Sequence, residues 1–185
     1  MDKDAAALPL ETLFEGRWLR VRRRGHWEFA ERTNAGGMAV IIVAVTPERK
    51  LLFVEQHRIP VEGRTIEMPA GLVGDQEAGE TLETAASREL IEETGWQAAR
   101  VEVLLVGPTS SGFSNERVAF VRATGLEKVG AGGGDDSEDI RVHEVPVDEA
   151  PSWMARKMAE GYQLDAKLWA GLWLLDRNPD GTPAG

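Results

Sequence analysis

The sequence predicts a single α/β domain, residues 1–185, in which a mixed β-sheet lies between helices. Three observations support this fold class. Segments typical of strands alternate along the chain with segments typical of helices, an order that favours packed layers of the two. Residues 38–45 form an uninterrupted apolar run, which is typical of a strand covered on both faces. The length of 185 residues is sufficient for one substantial hydrophobic core.

Seven segments are predicted to be β-strands because their apolar residues alternate or run together between turn residues. In chain order these are 13–24, 26–32, 38–45, 51–56, 101–106, 116–123 and 140–146. Gly25 is expected to form the turn between the first two strands. Together these strands make up an N-terminal region of approximately residues 10–33. A short extended piece, 67–72, follows a predicted loop at 59–67, which proline and glycine interrupt.

Three segments have the composition and periodicity of helices, namely 81–94, 147–160 and 164–177. The first is rich in Leu, Glu and Ala without internal Gly or Pro, and Gly95 stands where a left-handed C-terminal cap is expected. The last is apolar almost all round, which predicts a core helix or an interface helix. We expect no regular structure in residues 1–9, a mobile Gly-rich and acidic loop at 130–139, and a disordered tail at 178–185.

Composition narrows the functions that the chain can have. The net charge of −10, without a basic stripe, argues against a nucleic-acid partner. The basic cluster at 20–24 falls in a predicted strand, where it is either a solvated face or a phosphate contact. The absence of cysteine excludes disulfides, cysteine nucleophiles and thiolate metal sites. The sequence shows neither a membrane-length apolar run nor a signal peptide, so we expect a cytoplasmic protein without a membrane partner.

Residues 74–96, which read GDQEAGETLETAASRELIEETGW, carry the strongest functional signal. At about 100° per residue, Leu82, Ala86, Glu89 and Glu93 fall on one stripe of the predicted helix, and Glu92 flanks that stripe. Two or three carboxylates therefore lie on the face that should be buried, whereas a solvated helix carries its charges opposite the apolar stripe.

Crowded and partly buried carboxylates repel one another unless a cation neutralises them. Mg²⁺ does so with oxygen ligands from a few carboxylates and from substrate phosphates. The pattern therefore predicts a divalent-metal site. The alternative is a charged surface helix with ordinary ion pairs, such as one between Arg88 and Glu92.

The spacing within residues 74–96 resembles the Nudix box at every fixed position. Those positions are Gly74, Glu80, Arg88, Glu89, Leu90, Glu92, Glu93, Gly95 and the apolar Trp96. The chain is thus similar to Nudix hydrolases, which cleave diphosphates linked to another group. This resemblance implies an α/β/α sandwich with a mixed β-sheet.

The resemblance also implies a metal centre. The carbonyl of Ala70 and the carboxylates of Glu89, Glu92 and Glu93 are expected to hold Mg²⁺, with Mn²⁺ as the alternative ion. Glu93 and Arg88 belong to the expected catalytic group, in which Arg88 orients the carboxylates by ion pairing.

Segments outside the box resemble the ADP-ribose and nucleotide-sugar pyrophosphatase branch of that family. They read EGRWLRVRR, HWEFAER, VEQHR and EMPAGL. In that branch Trp18 and Trp27 would stack on the base, and Arg58 and Glu67 would contact the substrate. The branch forms homodimers whose N-terminal strands, here with Glu28, lend residues to the partner's site. Strand packing for the tryptophans, and local ion pairs or hydrogen bonds for Arg58 and Glu67, are the alternatives.

The stretch GAGGGDDSEDIRVHEVP resembles bacterial ADP-ribose and GDP-mannose pyrophosphatases, in which an acidic loop brings a carboxylate to the site. Glu138 matches the metal-ligand position of that loop, and it is also a candidate base. Asp136 stands where some members carry a Glu base, and Glu116 is a second candidate base. A solvated acidic turn is the alternative for Asp136 and Glu138.

One place departs from the pattern of the ADP-ribose-specific members, which carry a Pro-Gly pair past the box. In this sequence the corresponding residues are Ser111-Gly112, so other nucleoside diphosphate sugars are also candidate substrates. The sequence thus predicts Mg²⁺-dependent hydrolysis of ADP-ribose or a related sugar nucleotide to a nucleoside monophosphate and a sugar phosphate. The alternatives are another Nudix substrate (GDP-mannose, NADH, a dinucleoside polyphosphate or coenzyme A) and a Nudix-fold binding module without hydrolysis.

Overall fold

The computed structural model describes residues 7–33, 37–75, 77, 79–134 and 138–184. In these residues the chain forms eleven β-strands and three α-helices. The strands are β1 Leu10–Glu15, β2 Leu19–Arg24, β3 Trp27–Arg32, β4 Met38–Ala44, β5 Lys50–Arg58, β6 Gly63–Glu67, β7 Ala70–Leu72, β8 Trp96–Pro108, β9 Arg117–Lys128, β10 Arg141–Pro146 and β11 Gln163–Leu164. The helices are α1 Leu82–Thr94, α2 Ala150–Ala159 and α3 Lys167–Trp173. No helix in the described ranges is long and apolar enough to span a bilayer.

The strands are divided among three sheets. An antiparallel sheet has the order β1-β2-β3, and two four-stranded sheets have the orders β10-β5-β6-β11 and β7-β4-β9-β8. Each four-stranded sheet is mixed, because β4 runs parallel to β9 and β6 runs parallel to β11. The predicted mixed α/β class is confirmed, although two mixed sheets stand where the sequence led us to expect one.

Strand β4 separates two hydrophobic cores. Ile41 and Val43 pack into a core shared with α2 and α3, whereas Val40, Ile42 and Ala44 pack into a core shared with α1. Because successive strand residues point to opposite faces, an apolar run without interruption is what a strand between two helical layers requires. The prediction that residues 38–45 are covered on both faces is confirmed, and α1 is held on one side of the sheets.

The N-terminal strands differ from the prediction at one point. Residues 13–24 form two strands rather than one, because the chain turns back between β1 and β2, where the N–H of Gly16 donates to the carbonyl of Leu19 at 2.9 Å. The predicted strand at 26–32 is confirmed as β3. Of the first nine residues, 1–6 lie outside the described residues.

The prediction of a loop at 59–67 is wrong. A single 3₁₀ turn, Ile59–Val61, ends at Glu62, whose φ of 50° is left-handed, and β6 then pairs antiparallel with β5. The five residues GRTIE of β6 are too few and too polar for an alternating pattern to be recognised. The strand is stabilised by its pairing with β5, which depends on tertiary structure.

The predicted helix at 164–177 is wrong in both of its bounds. The segment begins with β11, and α3 ends at Trp173. Leu168 and Leu174 are buried, whereas Trp169 and Trp173 are about half exposed, so the apolar surface of α3 is only partly covered.

The expected disorder of the tail is not what the structure describes for residues 178–184. The N–H of Asn178 donates to the carbonyl of Thr182, and the N–H of Ala184 donates to the carbonyl of Asp176, both at 2.8 Å. Gly185 lies outside the described residues.

Candidate active site

Helix α1 places two glutamates in the interior of the protein. The Thr81 hydroxyl accepts a hydrogen bond from the N–H of Thr84, which begins the helix, and Gly95 ends it in the left-handed conformation at φ 71°. These are the capping chemistries expected at the two ends of a helix. Between them, Glu89 and Glu93 are only 8% and 3% exposed. The stripe of buried carboxylates predicted from the helical periodicity is therefore present.

Strand β7 contacts both buried carboxylates. The N–H of Ala70 donates to Oε2 of Glu93 at 3.0 Å, and the backbone of Gly71 lies against the carboxylate of Glu89. Burial raises the pKa of Glu89 to about 7, and it raises the pKa of Glu93 well above its ordinary value. Both carboxylates therefore retain a proton to a higher pH than an exposed glutamate does.

Arg88 is surrounded by acids. Its guanidinium donates to Glu80 at 2.9 Å, to Glu89 at 2.8 Å, and to Glu92 and Asp75 at 3.1 Å. These bonds, above all those to Glu80, raise the pKa of Arg88, so it stays charged at every working pH. Glu80 also accepts from the N–H of Gly74 at 2.9 Å, which ties the preceding loop to α1.

A cavity of about 380 Å³ opens beside these residues. It brings together nine residues that the sequence singled out. They are Arg58, Glu67, Ala70, Arg88, Glu89, Glu92, Glu93, Glu116 and Glu138. Every predicted metal ligand and catalytic candidate among the described residues thus faces one space, while Asp136 lies outside the described residues.

Arg58 and Glu67 form a bidentate ion pair within the cavity. Nε and Nη2 of Arg58 lie 2.8 and 2.7 Å from the two carboxylate oxygens of Glu67. Burial alone would raise the pKa of Glu67, but the hydrogen bonds and charge of Arg58 outweigh it and hold that pKa below its ordinary value. The local ion pair that the sequence left open is therefore present, and it fixes the orientation of a guanidinium that faces the cavity.

The two candidate bases have different surroundings. Glu116 accepts from Nε of Arg32 at 2.6 Å and from the Thr109 hydroxyl at 3.2 Å. The negative charge of Glu138 helps to raise the pKa of Glu93. Burial and the charge of Glu89 contribute more to that shift. Both carboxylates line the cavity, and Glu116 is paired with the guanidinium of Arg32.

The expected base-stacking residues lie apart from this cavity. Trp18 and Trp27 are 58% and 51% exposed on the N-terminal sheet. Trp27 lines a separate hollow of about 390 Å³ with residues that include Ser111 and Gly112. Glu28 lies beside Trp27 on β3, opposite Arg23 of β2. Within one chain, therefore, these three residues are not brought to the buried carboxylates.

Comparison with models of known protein families identifies the family of this chain. The NUDIX domain family model matches residues 36–165, which is more than half of the chain. The chain belongs to the Nudix family. Its fold is similar to that of a solved structure described as an ADP compounds hydrolase, with a TM-score of 0.62 at 19% identity over 83% of this chain and 93% of that one. At that identity the likeness shows the fold alone.

Three curated relatives of this Nudix chain carry two different names. The ADP-ribose pyrophosphatase of Saccharomyces cerevisiae is 32% identical over 166 residues, 77% of this chain and 66% of the relative. The ADP-ribose pyrophosphatase of Escherichia coli K12 is 34% identical over 152 residues, which are 77% of this chain and 68% of the relative. The methanol dehydrogenase activator of Bacillus methanolicus is 39% identical over 120 residues, which are 64% of this chain and 63% of the relative. The chain thus spans about two-thirds of the length of the curated relatives that it matches.

The Nudix box suits a divalent cation in its chemistry. Glu89, Glu92, Glu93 and Glu138 offer carboxylate oxygens in a partly buried cavity, and oxygen is the ligand that Mg²⁺ prefers. Among the described residues, however, no three His, Cys, Asp or Glu side chains converge with metal-binding geometry. Arg88 explains part of this, because it draws Glu89 and Glu92 towards its guanidinium.

Several residues of the cavity were not predicted from the sequence. Asp75, Asp165 and Lys167 line it, and Arg32 reaches it from β3. Lys167 was assigned to an apolar helix, and no local pattern distinguished it. Gly71 was a detectable signal, because a glycine inside a strand often marks a place where another group approaches the backbone closely.

Proposed function

We propose that this Nudix chain hydrolyses the diphosphate bond of ADP-ribose or a related nucleoside diphosphate sugar. The products would be a nucleoside monophosphate and a sugar phosphate. The observation that carries the proposal is the single cavity in which buried Glu89 and Glu93 face the Arg58–Glu67 pair. Relatives named ADP-ribose pyrophosphatases in yeast, Bacillus subtilis and Mycobacterium tuberculosis support the substrate class.

The proposed cofactor is Mg²⁺, with Mn²⁺ as the alternative ion. Glu89, Glu92 and Glu93, together with the carbonyl of Ala70, would hold it. When bound, such an ion neutralises phosphate oxygens and lowers the pKa of a coordinated water. The requirement follows from charge, since a chain of net charge −10 otherwise repels a diphosphate.

Arg58 is proposed to bind the diphosphate. Its bonds to Glu67 use Nε and Nη2, so Nη1 is left to donate elsewhere. A planar guanidinium that is fixed in advance loses little conformational freedom when it binds a phosphate oxygen. Glu67 is thus proposed to act by orienting Arg58 towards the cavity.

Glu138 is proposed to accept the proton of the attacking water, and Glu116 is the second candidate. Glu116 is held by Arg32 and by the Thr109 hydroxyl, and these bonds make its oxygens less available for proton transfer. Glu138 lines the same cavity, and its closeness to Glu93 of the box supports this assignment.

We also propose that the chain acts as a homodimer in which Trp18, Trp27 and Glu28 serve the partner's cavity. Both tryptophans are more than half exposed and lie outside the cavity of their own chain. Strand β1 adds exposed Leu13 and Phe14 to the same sheet. Sedimentation equilibrium tests the dimer, and Phe14→Glu on this surface should shift the mass to that of a monomer.

The departure at Ser111-Gly112 favours a wider range of sugar nucleotides. These residues line the same hollow as Trp27, where a base or sugar would be recognised. An altered turn at this position would change the preference of the enzyme between ADP-ribose and GDP-mannose. NADH and dinucleoside polyphosphates remain the second class of candidate substrate.

The deciding experiment is a substrate panel with Mg²⁺. ADP-ribose, ADP-glucose, GDP-mannose, UDP-glucose, NADH and a diadenosine polyphosphate are incubated with the protein, and the products are separated by chromatography. A nucleoside monophosphate and a sugar phosphate, absent with Glu93→Gln, are the expected products. Turnover of NADH or the polyphosphate alone would contradict the proposed substrate class, and binding without turnover would indicate a non-catalytic Nudix module.

A further inference from the structure

A fully buried carboxylate joins three strands outside the cavity. Glu55 on β5 has 0% exposure, and its oxygens lie 3.0 Å from Nη1 of Arg64 on β6 and 2.8 Å from Nε2 of His143 on β10. Arg141, also on β10, lies 3.4 Å from the same carboxylate. Several bonds to one buried acid fix the orientation of all its partners.

Arg64 extends this network to the acidic loop. Its Nη2 donates to Asp139, the neighbour of Glu138. Asp139 is exposed, and an isolated ion pair at an exposed position contributes little. Here, however, Glu55 holds the arginine in place, so Arg64 gives the loop a fixed point of attachment on β6.

The other side of the loop is attached to α1. The N–H of Gly133 donates to the carbonyl of Glu93 at 2.8 Å, and the N–H of Gly134 donates to the carbonyl of Glu92 at 3.0 Å. The φ angles of both glycines are positive, 112° and 79°. A Cβ on Gly134 would lie 2.4 Å from Oε2 of Glu138, so that carboxylate packs directly over the glycine.

We propose that Arg64 and Asp139 are positioning residues that set where Glu138 stands relative to the box. Gly133 and Gly134 attach the loop on one side of Glu138, and the Arg64–Asp139 pair attaches it on the other. The inference rests on the proposed function, in which Glu138 accepts a proton. Arg64 acts through the loop and does not touch the substrate.

The chain offers a matched control for Arg64. Arg64→Gln and Arg141→Gln each remove one cation from Glu55, but only Arg64→Gln also removes the bond to Asp139. We expect Arg64→Gln and Asp139→Asn to lower kcat by about 10- to 100-fold with little change in KM, since a small misplacement of a catalytic group has that effect. Arg141→Gln should stay close to the wild-type rate, and Asp139→Glu should restore most of the rate.

Combination with Glu138→Gln tests whether the effect passes through that carboxylate. Residues that act as a unit are not additive, so Asp139→Asn should cause little further loss in a Glu138→Gln background. Fully additive losses would overturn the inference. Equal losses in Arg64→Gln and Arg141→Gln would do the same, because the cause would then be damage around Glu55.

Hydrogen exchange tests the attachment without any turnover. We expect Asp139→Asn, but not Arg141→Gln, to speed amide exchange in the peptide that carries Gly133 and Gly134. Wild-type protein that hydrolyses no sugar nucleotide would contradict the proposed function while leaving this readout intact. Unchanged exchange in Asp139→Asn would overturn the positioning role.

Discussion

The carboxylate of Glu89 lies so close to Gly71 that a Cβ on this glycine would stand 1.9 Å from the carboxyl carbon. Helix α1 and strand β7 meet at this point, and only a residue without a side chain allows the contact. The position of a proposed metal ligand therefore depends on the backbone of a neighbouring strand.

We expect Gly71→Ala to displace Glu89 and to lower kcat/KM by about 100-fold, since small misplacements in an active site have effects of this size. Titration with Mg²⁺ should show a matching loss of affinity. Gly107→Ala on β8 is the control, because a Cβ at Gly107 meets nothing within 4 Å. Wild-type activity in Gly71→Ala would mean that Glu89 has room to move without loss of function.

Without metal, the protein should lose stability as the pH rises from about 5 to 8. Burial raises the pKa of Glu89 to about 7 and that of Glu93 well above the ordinary 4.5, so both hold protons in the folded state that the unfolded chain has released. Such a contribution is complete below the unfolded pKa and is lost as the pH passes through the folded pKa. For Glu89 it amounts to roughly 3 kcal/mol.

Urea denaturation in the presence of EDTA at pH 5.5 and pH 8 measures this difference. The Glu89→Gln, Glu93→Gln double variant should flatten the dependence, because both titrating groups are then gone. A free energy of unfolding that rises with pH in the wild type would contradict the sign of both shifts.

Glu93→Gln should separate catalysis from stability. The amide oxygen keeps the bond from the Ala70 N–H, so the fold is preserved while a buried charge is removed. We expect activity to fall by about 10³-fold or more, as for other losses of a group that acts only in the transition state. At pH 8 the metal-free variant should melt above the wild type, and Mg²⁺ should stabilise it less.

Glu83→Gln is the matched control for that experiment. Glu83 lies in the first turn of the same helix and is exposed. Its substitution should leave the rate and the Mg²⁺-dependent rise in Tm close to wild type. Equal losses in both variants would mean that the net charge of α1, and not the buried position of Glu93, governs the site.

Trp27→Ala should weaken substrate binding if the base stacks on this ring. Stacking on an aromatic side chain contributes about 1–3 kcal/mol, so KM for ADP-ribose should rise by roughly 10- to 100-fold with kcat less affected. Trp169→Ala is the control, because Trp169 on α3 is exposed to a similar extent, 54% against 51%. Equal effects of the two substitutions would contradict the base-stacking role.

Arg58→Lys should show how far the bidentate geometry matters. Lysine keeps the charge but loses the planar fork, so it cannot make the two parallel bonds to Glu67. We expect KM to rise by about tenfold, which corresponds to the loss of one charged hydrogen bond. An unchanged KM would mean that charge alone is sufficient at this position.

Helix α1 could be predicted almost to the residue because all of its signals are local. The Thr81 and Gly95 caps, the composition between them and the spacing of Glu89 and Glu93 lie within one short stretch. Strand β4 was equally clear, since burial on both faces leaves an uninterrupted apolar run in the sequence.

The rest of the fold and site depends on contacts between distant parts of the chain. Strand β6 is polar and exists through its pairing with β5, and Arg64 meets Asp139 across 75 positions of sequence. Trp18 and Trp27 lie apart from the cavity because of where the N-terminal sheet is positioned, and no local sequence pattern predicts that position. Lys167 likewise lines the cavity from the first residue of α3, and the packing of that helix cannot be predicted from its apolar pattern.

The guanidinium of Arg88 gives the molecule a practical property. Many small metal-binding domains unfold when a chelator withdraws the ion, because the free energy of metal binding is part of their folding free energy. In this chain Arg88 bonds to Glu80, Glu89, Glu92 and the carbonyl of Leu72, and these bonds need no ion. Removal of the metal should therefore be reversible. We expect protein treated with EDTA to keep its tertiary structure, to be purified in a metal-free, inactive form, and to regain activity when Mg²⁺ is added.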